Sequence, residues 1–126
     1  MLNIEKQITY WQESAKEDWE VALELVGNNR SRHGLYFAHL ALEKILKAHV
    51  CKETHDLAPK IHNLVDLAQL ANITLTAHQS DILTEMNSFN IESLYPDPTQ
   101  AKLANEEAKV HIKRVDEVFK WLISQS

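Results

Sequence analysis

Glu43, Lys44 and Lys47 stand close together in the most apolar stretch of the chain, and five of its seven histidines fall between Arg32 and Leu64. Carboxylates and ammonium groups bind one another or a phosphate, and imidazole is the side chain that moves protons near neutral pH. Glu43 and Lys47 are one helical turn apart, so their charged ends can meet. On an exposed helix such a pair contributes about 0.2–0.5 kcal/mol. In a partly buried position it costs desolvation and is kept for binding or for specificity. A structural tie is the commoner outcome for this spacing, and a binding role stays open beside it.

The remaining polar groups offer weaker chemistry. Arg32 and His39, with six residues between them, match the loose Arg-x(4–6)-His pattern of metal-independent ribonucleases, in which a guanidinium holds the phosphate while an imidazole takes the 2′-hydroxyl proton. Their offset of seven separates the Cα atoms by roughly 10 Å on a helix, and such common residues match this pattern often. His33 and His39 point to different sides of a helix, and no HExxH or paired CxxC occurs, so no metal site and no cofactor is expected. His49 lies in an apolar row, as a core histidine with a backbone partner would. His55 and His62 flank a loop. The lone Cys51 falls on the same apolar helix, where a buried structural thiol is expected.

These groups need a scaffold, and composition restricts which. A chain of 126 residues, 44% hydrophobic, with two glycines and three prolines, suits one domain (1–126) of long helices joined by few loops. No apolar run approaches the roughly 18–20 residues that span a bilayer, and the N-terminus lacks the order of a signal peptide, so a soluble, cytoplasmic protein without membrane contact is expected. The net charge of −5 argues against general nucleic-acid binding, but it is uneven. Residues 30–62 hold six bases against three acids, while both flanking segments are acidic. Such asymmetry fits helices that attract one another, and equally a local anion site.

Periodicity then places the elements. Ile4, Ile8, Trp11, Ala15, Trp19, Ala22 and Val26 form one stripe of a helix over about Asn3 to Val26, stopped by Gly27-Asn28-Asn29. Ser31 is a candidate cap for a second helix to about Lys52, apolar on most sides and so expected to be the most buried. Asn63 can cap a short helix, Thr76 begins the next, and the last starts near Thr99, with Asp116 and Lys120 as an exposed i,i+4 pair. The expectation is an all-α, up-and-down antiparallel bundle of four long helices and one short one. Tyr95-Pro96-Asp97-Pro98 reads as punctuation, or as an aromatic face and a carboxylate at the bundle's edge.

Taken in order, these motifs resemble a family. The acidic first helix with Ala15, Asp18 and Trp19, the run Tyr36 to Ala48, similar to a central "AxEKxLKA" helix, Pro59 to Leu64, similar to "PxxH(D/N)L", and Tyr95-Pro96-Asp97, similar to "RYPD", together resemble HEPN-domain proteins over nearly the whole chain. The resemblance implies a helical bundle that commonly dimerises and often pairs with a minimal nucleotidyltransferase, MNT, in a toxin–antitoxin-like module. It implies binding of a nucleotide or RNA phosphate, with Glu43, Lys47, His62, Tyr95, Pro96 and Asp97 as candidate site residues by matching position, and Lys44 joins Lys47 as a source of positive charge for the ligand. Many members cleave RNA, with Arg-x(4–6)-His late in the chain, but no Arg or His lies between Glu85 and Tyr95 here, and Leu94 stands where relatives have Arg. The second alternative is then a metal-independent endoribonuclease that uses His39 or His62 with Arg32, with Arg32 and His39 as the weak catalytic candidates. A helical scaffold that dimerises and binds no ligand is the third alternative.

Overall fold

The computed structural model describes residues 3–94 and 104–125. Among the described residues five α-helices form: α1 (Ile4–Gly27), α2 (Ser31–Thr54), α3 (Leu64–Leu70), α4 (Ala77–Met86) and α5 (Asn105–Ser124). The all-α bundle expected from the sequence is what the chain builds, and its fourth long member is realised as the ten-residue α4 followed by two 3-10 turns, Asn87–Phe89 and Ile91–Leu94.

Local chemistry sets most of the ends. The Asn3 side chain accepts from the Lys6 N–H, Asn63 does the same for Asp66, and Thr76 forms a reciprocal capping box with Gln79. At the end of α1 the helix continues through Gly27, and Asn29 is the residue that turns left-handed, at φ 61°. The Arg30 N–H then reaches the Leu25 carbonyl and the Asn29 N–H the Val26 carbonyl, which closes the helix as a Schellman motif. Ser31 does not cap α2. Arg30 occupies the cap position without a side-chain bond, while the Ser31 hydroxyl, already inside the helix, donates to Asn105 Oδ1 at 2.8 Å and ties the start of α2 to the start of α5. α5 begins at Asn105 after an extended Ala104, later than the start near Thr99 read from the sequence; Thr99 lies outside the described residues.

α2 runs through the middle, with 15 of its 24 residues buried, so it offers no broad solvent face. Leu35, Leu42, Ile45 and Leu46 are fully buried there, each contributing about 1.5–3 kcal/mol on removal from water. α1 packs most intimately against it because Gly34 has no side chain. A Cβ at Gly34 would lie 2.5 Å from Val26 Cγ2 and 2.9 Å from the Val26 nitrogen. α5 closes the other side. The Trp19 ring stacks on Phe119 at 4.8 Å, and its indole N–H donates to Asp116 Oδ1 at 2.9 Å. Asp116 also pairs with Lys120 at 2.8 Å as the spacing predicts, yet only the lysine is well exposed, because the carboxylate serves Trp19 too. His49 is the core histidine expected: its Nε2 donates to the Leu122 carbonyl at 2.8 Å. Cys51 is buried, and burial pushes its thiol above the usual range, which suits a structural role.

The two glycines should therefore respond oppositely to alanine. Gly34→Ala must push α1 away and is expected to lose about 1–3 kcal/mol in urea unfolding. Gly27→Ala meets nothing within 4 Å and should gain up to about 1 kcal/mol, from helix propensity alone. Equal effects at both positions would contradict the close approach of α1 and α2.

Candidate functional site

Glu43 is the centre of the polar cluster, at 6% exposure. Its two oxygens are committed to different partners. Oε1 accepts from His62 Nδ1 at 2.9 Å, and Oε2 lies 3.3 Å from Lys47 Nζ. Lys47 is itself buried, one turn further along α2, with its ammonium 5.4 Å from the centroid of the Trp11 ring of α1. The order Trp11, Lys47, Glu43, His62 thus runs from the α1–α2 interface to the surface, where the His62 side chain is 74% exposed.

His62 is placed by its neighbours in sequence. The next residue, Asn63, caps α3, and the Leu64 N–H donates to Asn87 Oδ1 at 2.8 Å, which anchors this strand of loop to the turn after α4. With Nδ1–H given to Glu43, a neutral His62 carries its lone pair on Nε2. That nitrogen has no hydrogen-bond partner among the described residues.

His39 lies one turn before Glu43, at 3% exposure, and neither of its ring nitrogens makes a hydrogen bond. The indole nitrogen of Trp11 is likewise buried and unpartnered. Each such group costs about 1–3 kcal/mol, so the cluster is held at some expense in stability. Burial holds the His39 imidazole below its usual range. Glu43 and the nearby His62 carbonyl oppose this, although the carbonyl falls outside hydrogen-bonding geometry, and any positive charge on the His62 ring adds to the lowering.

The other sequence candidates go elsewhere. Lys44 turns toward α1, with Nζ 2.7 Å from Asp18 Oδ2 and 2.8 Å from Ser14 Oγ, and it fastens two helices rather than joining Glu43. Arg32 is exposed, and its eleven-residue offset from Glu43 corresponds to about 16 Å along α2, beyond the reach of a guanidinium. It is not brought to His39, whose ring is sealed inside. Tyr95, Pro96 and Asp97 lie outside the described residues. Trp11 was legible only as a stripe residue; nothing local in the sequence places it against Lys47. A second recess, between α4 and α5, is lined by Glu85, Phe89, Val110, His111 and Arg114. Burial, and to a lesser degree Arg114, hold its His111 below the usual range, against the pull of Glu85. Among the described residues no group of three side chains could hold a metal ion, and no helix is long and apolar enough to cross a membrane.

The arrangement of helices and the Glu43 cluster can be set beside known proteins. A family model described as HEPN domain matches residues 8–125. The chain belongs to the HEPN domain family. Trp11, His39, Glu43, Lys47 and His62 all fall inside the matched span of this HEPN chain. The crystal structure of TT1696 from Thermus thermophilus is similar, with a TM-score of 0.77 at 17% identity over 95% of this chain and 98% of that one. At that identity the likeness is one of fold. No curated protein matches the chain significantly.

The buried histidines make stability depend on pH with a definite sign. His39, His49 and His111 all lie below 6.5 when folded, each chiefly through burial, so below that pH the unfolded chain takes up protons that the folded HEPN domain declines. Stability is full above the unfolded value and falls as pH drops from 7.5 to 5.5, by at most about 1.4 kcal/mol per pH unit for each group. His39→Leu, followed by urea unfolding over this range, should show a shallower fall than the wild type.

Proposed function

We propose that this HEPN chain is a binding module that holds a nucleotide or RNA phosphate at the surface marked by His62. In this reading it acts as a homodimer with an MNT-type nucleotidyltransferase partner, in a toxin–antitoxin-like pair. The observation that carries the site is the bond from His62 Nδ1 to the buried Glu43, which holds an exposed imidazole in one orientation. A ring fixed in this way presents Nε2 to a ligand without first having to be ordered. A neutral ring accepts there from a ligand hydroxyl or amine, and a protonated one donates to phosphate oxygen. Tyr95 and Asp97 remain part of the proposed ligand set on the strength of the family resemblance.

The enzyme reading keeps one point in its favour. A histidine oriented by a carboxylate is also how a general base is built. Its weakness is the cation: Lys47 is engaged by Glu43 and Trp11, and Arg32 is about 16 Å away along the helix. Binding is therefore the better supported of the two.

Calorimetric titration with AMP and ATP should give measurable heat, and His62→Ala should weaken binding by about tenfold, the loss of one hydrogen bond to a charged group. Absence of heat in the wild type overturns the binding role. RNA cleavage in EDTA that disappears in His62→Ala would move the assignment to the metal-independent endoribonuclease.

A further inference from the structure

The Lys47 side chain is only 9% exposed, and its ammonium already has two neighbours, Glu43 Oε2 at 3.3 Å and the face of Trp11 at 5.4 Å. Such a group is poorly placed to meet a ligand. We infer that Lys47 and Trp11 are positioning residues: they hold Glu43 so that Glu43 fixes the ring of His62, and neither touches what His62 binds. The inference rests on the reading of His62 as the contact residue, but its mechanism is internal to the ligand-free protein.

A carboxylate is planar, and both oxygens of Glu43 are engaged, one by an imidazole that stands in water and one by an ammonium that does not. The exposed bond alone would leave the carboxylate able to rotate or to follow His62 outward. The buried bond prevents this by giving Glu43 a fixed counter-charge inside the bundle, where an isolated carboxylate is strongly disfavoured. Trp11 completes the arrangement. Its π face lies 5.4 Å from the ammonium and gives it a second neighbour inside the bundle, so the lysine stays inside instead of reaching for solvent. The chain of influence crosses two helices: α1 supplies the aromatic wall, α2 the ion pair, and the loop before α3 the imidazole.

The readout is the nitrogen NMR signature of the His62 ring in the ligand-free protein, which distinguishes the Nδ1–H tautomer from the Nε2–H tautomer. The wild type is expected to show Nδ1–H in excess. Lys47→Met keeps the length of the side chain and removes the charge, and should move the signature away from Nδ1–H. Lys47→Arg should retain it, and Trp11→Phe, which keeps a smaller aromatic face, should shift it part of the way. An unchanged ring signature in folded Lys47→Met overturns the inference; should that variant not fold, an unchanged signature in Trp11→Phe does so. AMP titration separates the two readings. A signature that moves in a protein that binds no AMP leaves the positioning chain standing and removes the ligand role, whereas tenfold weaker AMP binding in Lys47→Met with an unmoved signature makes Lys47 a direct contact.

Discussion

Burying α2 on all sides is the constraint from which the rest of this HEPN structure follows. An apolar helix in the middle of a bundle gains stability from every leucine and isoleucine, but each polar side chain it carries must find a partner among the surrounding helices. His49 finds the carbonyl of Leu122 on α5, and Lys44 escapes sideways to Asp18 and Ser14 on α1. Glu43 and Lys47 satisfy one another and draw in His62 and Trp11. Only His39 is left with two unanswered nitrogens. Trp11, Lys47 and Glu43 are thus joined in one line, and that line emerges at the exposed imidazole of His62.

How much of this could be read from sequence depends on the range of the interaction. Asn63 acts on a backbone group three residues away, so its capping role was visible before any fold was known, and Asn3 and Thr76, read only as helix starts, prove to cap in the same local way. The stripe of α1 and the burial of His49 followed from helical period. The end of α1 was legible in the run Gly27-Asn28-Asn29, within which Asn29 turns left-handed, as asparagine tolerates, while Gly27 remains helical. Ser31 was misread because its partner, Asn105, lies 74 positions away, and no local pattern carries that information.

The candidate site divides in the same way. The i,i+4 spacing gave the Glu43–Lys47 pair, and the family resemblance put His62 beside them on other grounds, but neither showed that Glu43 joins the two. Lys44 looked equivalent to Lys47 in composition, and one position along a helix was enough to send it to a different helix with a different task. Trp11 was hidden for the opposite reason: as a stripe residue it was already explained. The fold is shared with a Thermus thermophilus structure at 17% identity, a likeness that reaches the architecture alone. Function has to be argued from the cluster and not from the bundle.

The bond between Trp19 and Asp116 spans 97 positions in the chain, whereas α1 and α2 meet across a turn of a few residues. These contacts differ in the entropy that must be surrendered to make them. Closing a loop costs more as it lengthens, but only logarithmically, at about 0.6 kcal/mol for each doubling. The α1–α2 hairpin is therefore a local structure in the sense that matters for folding speed, and α5 is the distant partner whose return completes the core. An indole N–H and one stacked ring pair stand at the seam where that return is made. The part of the chain that carries Glu43, Lys47 and Trp11 is thus the part whose assembly requires the least of the rest.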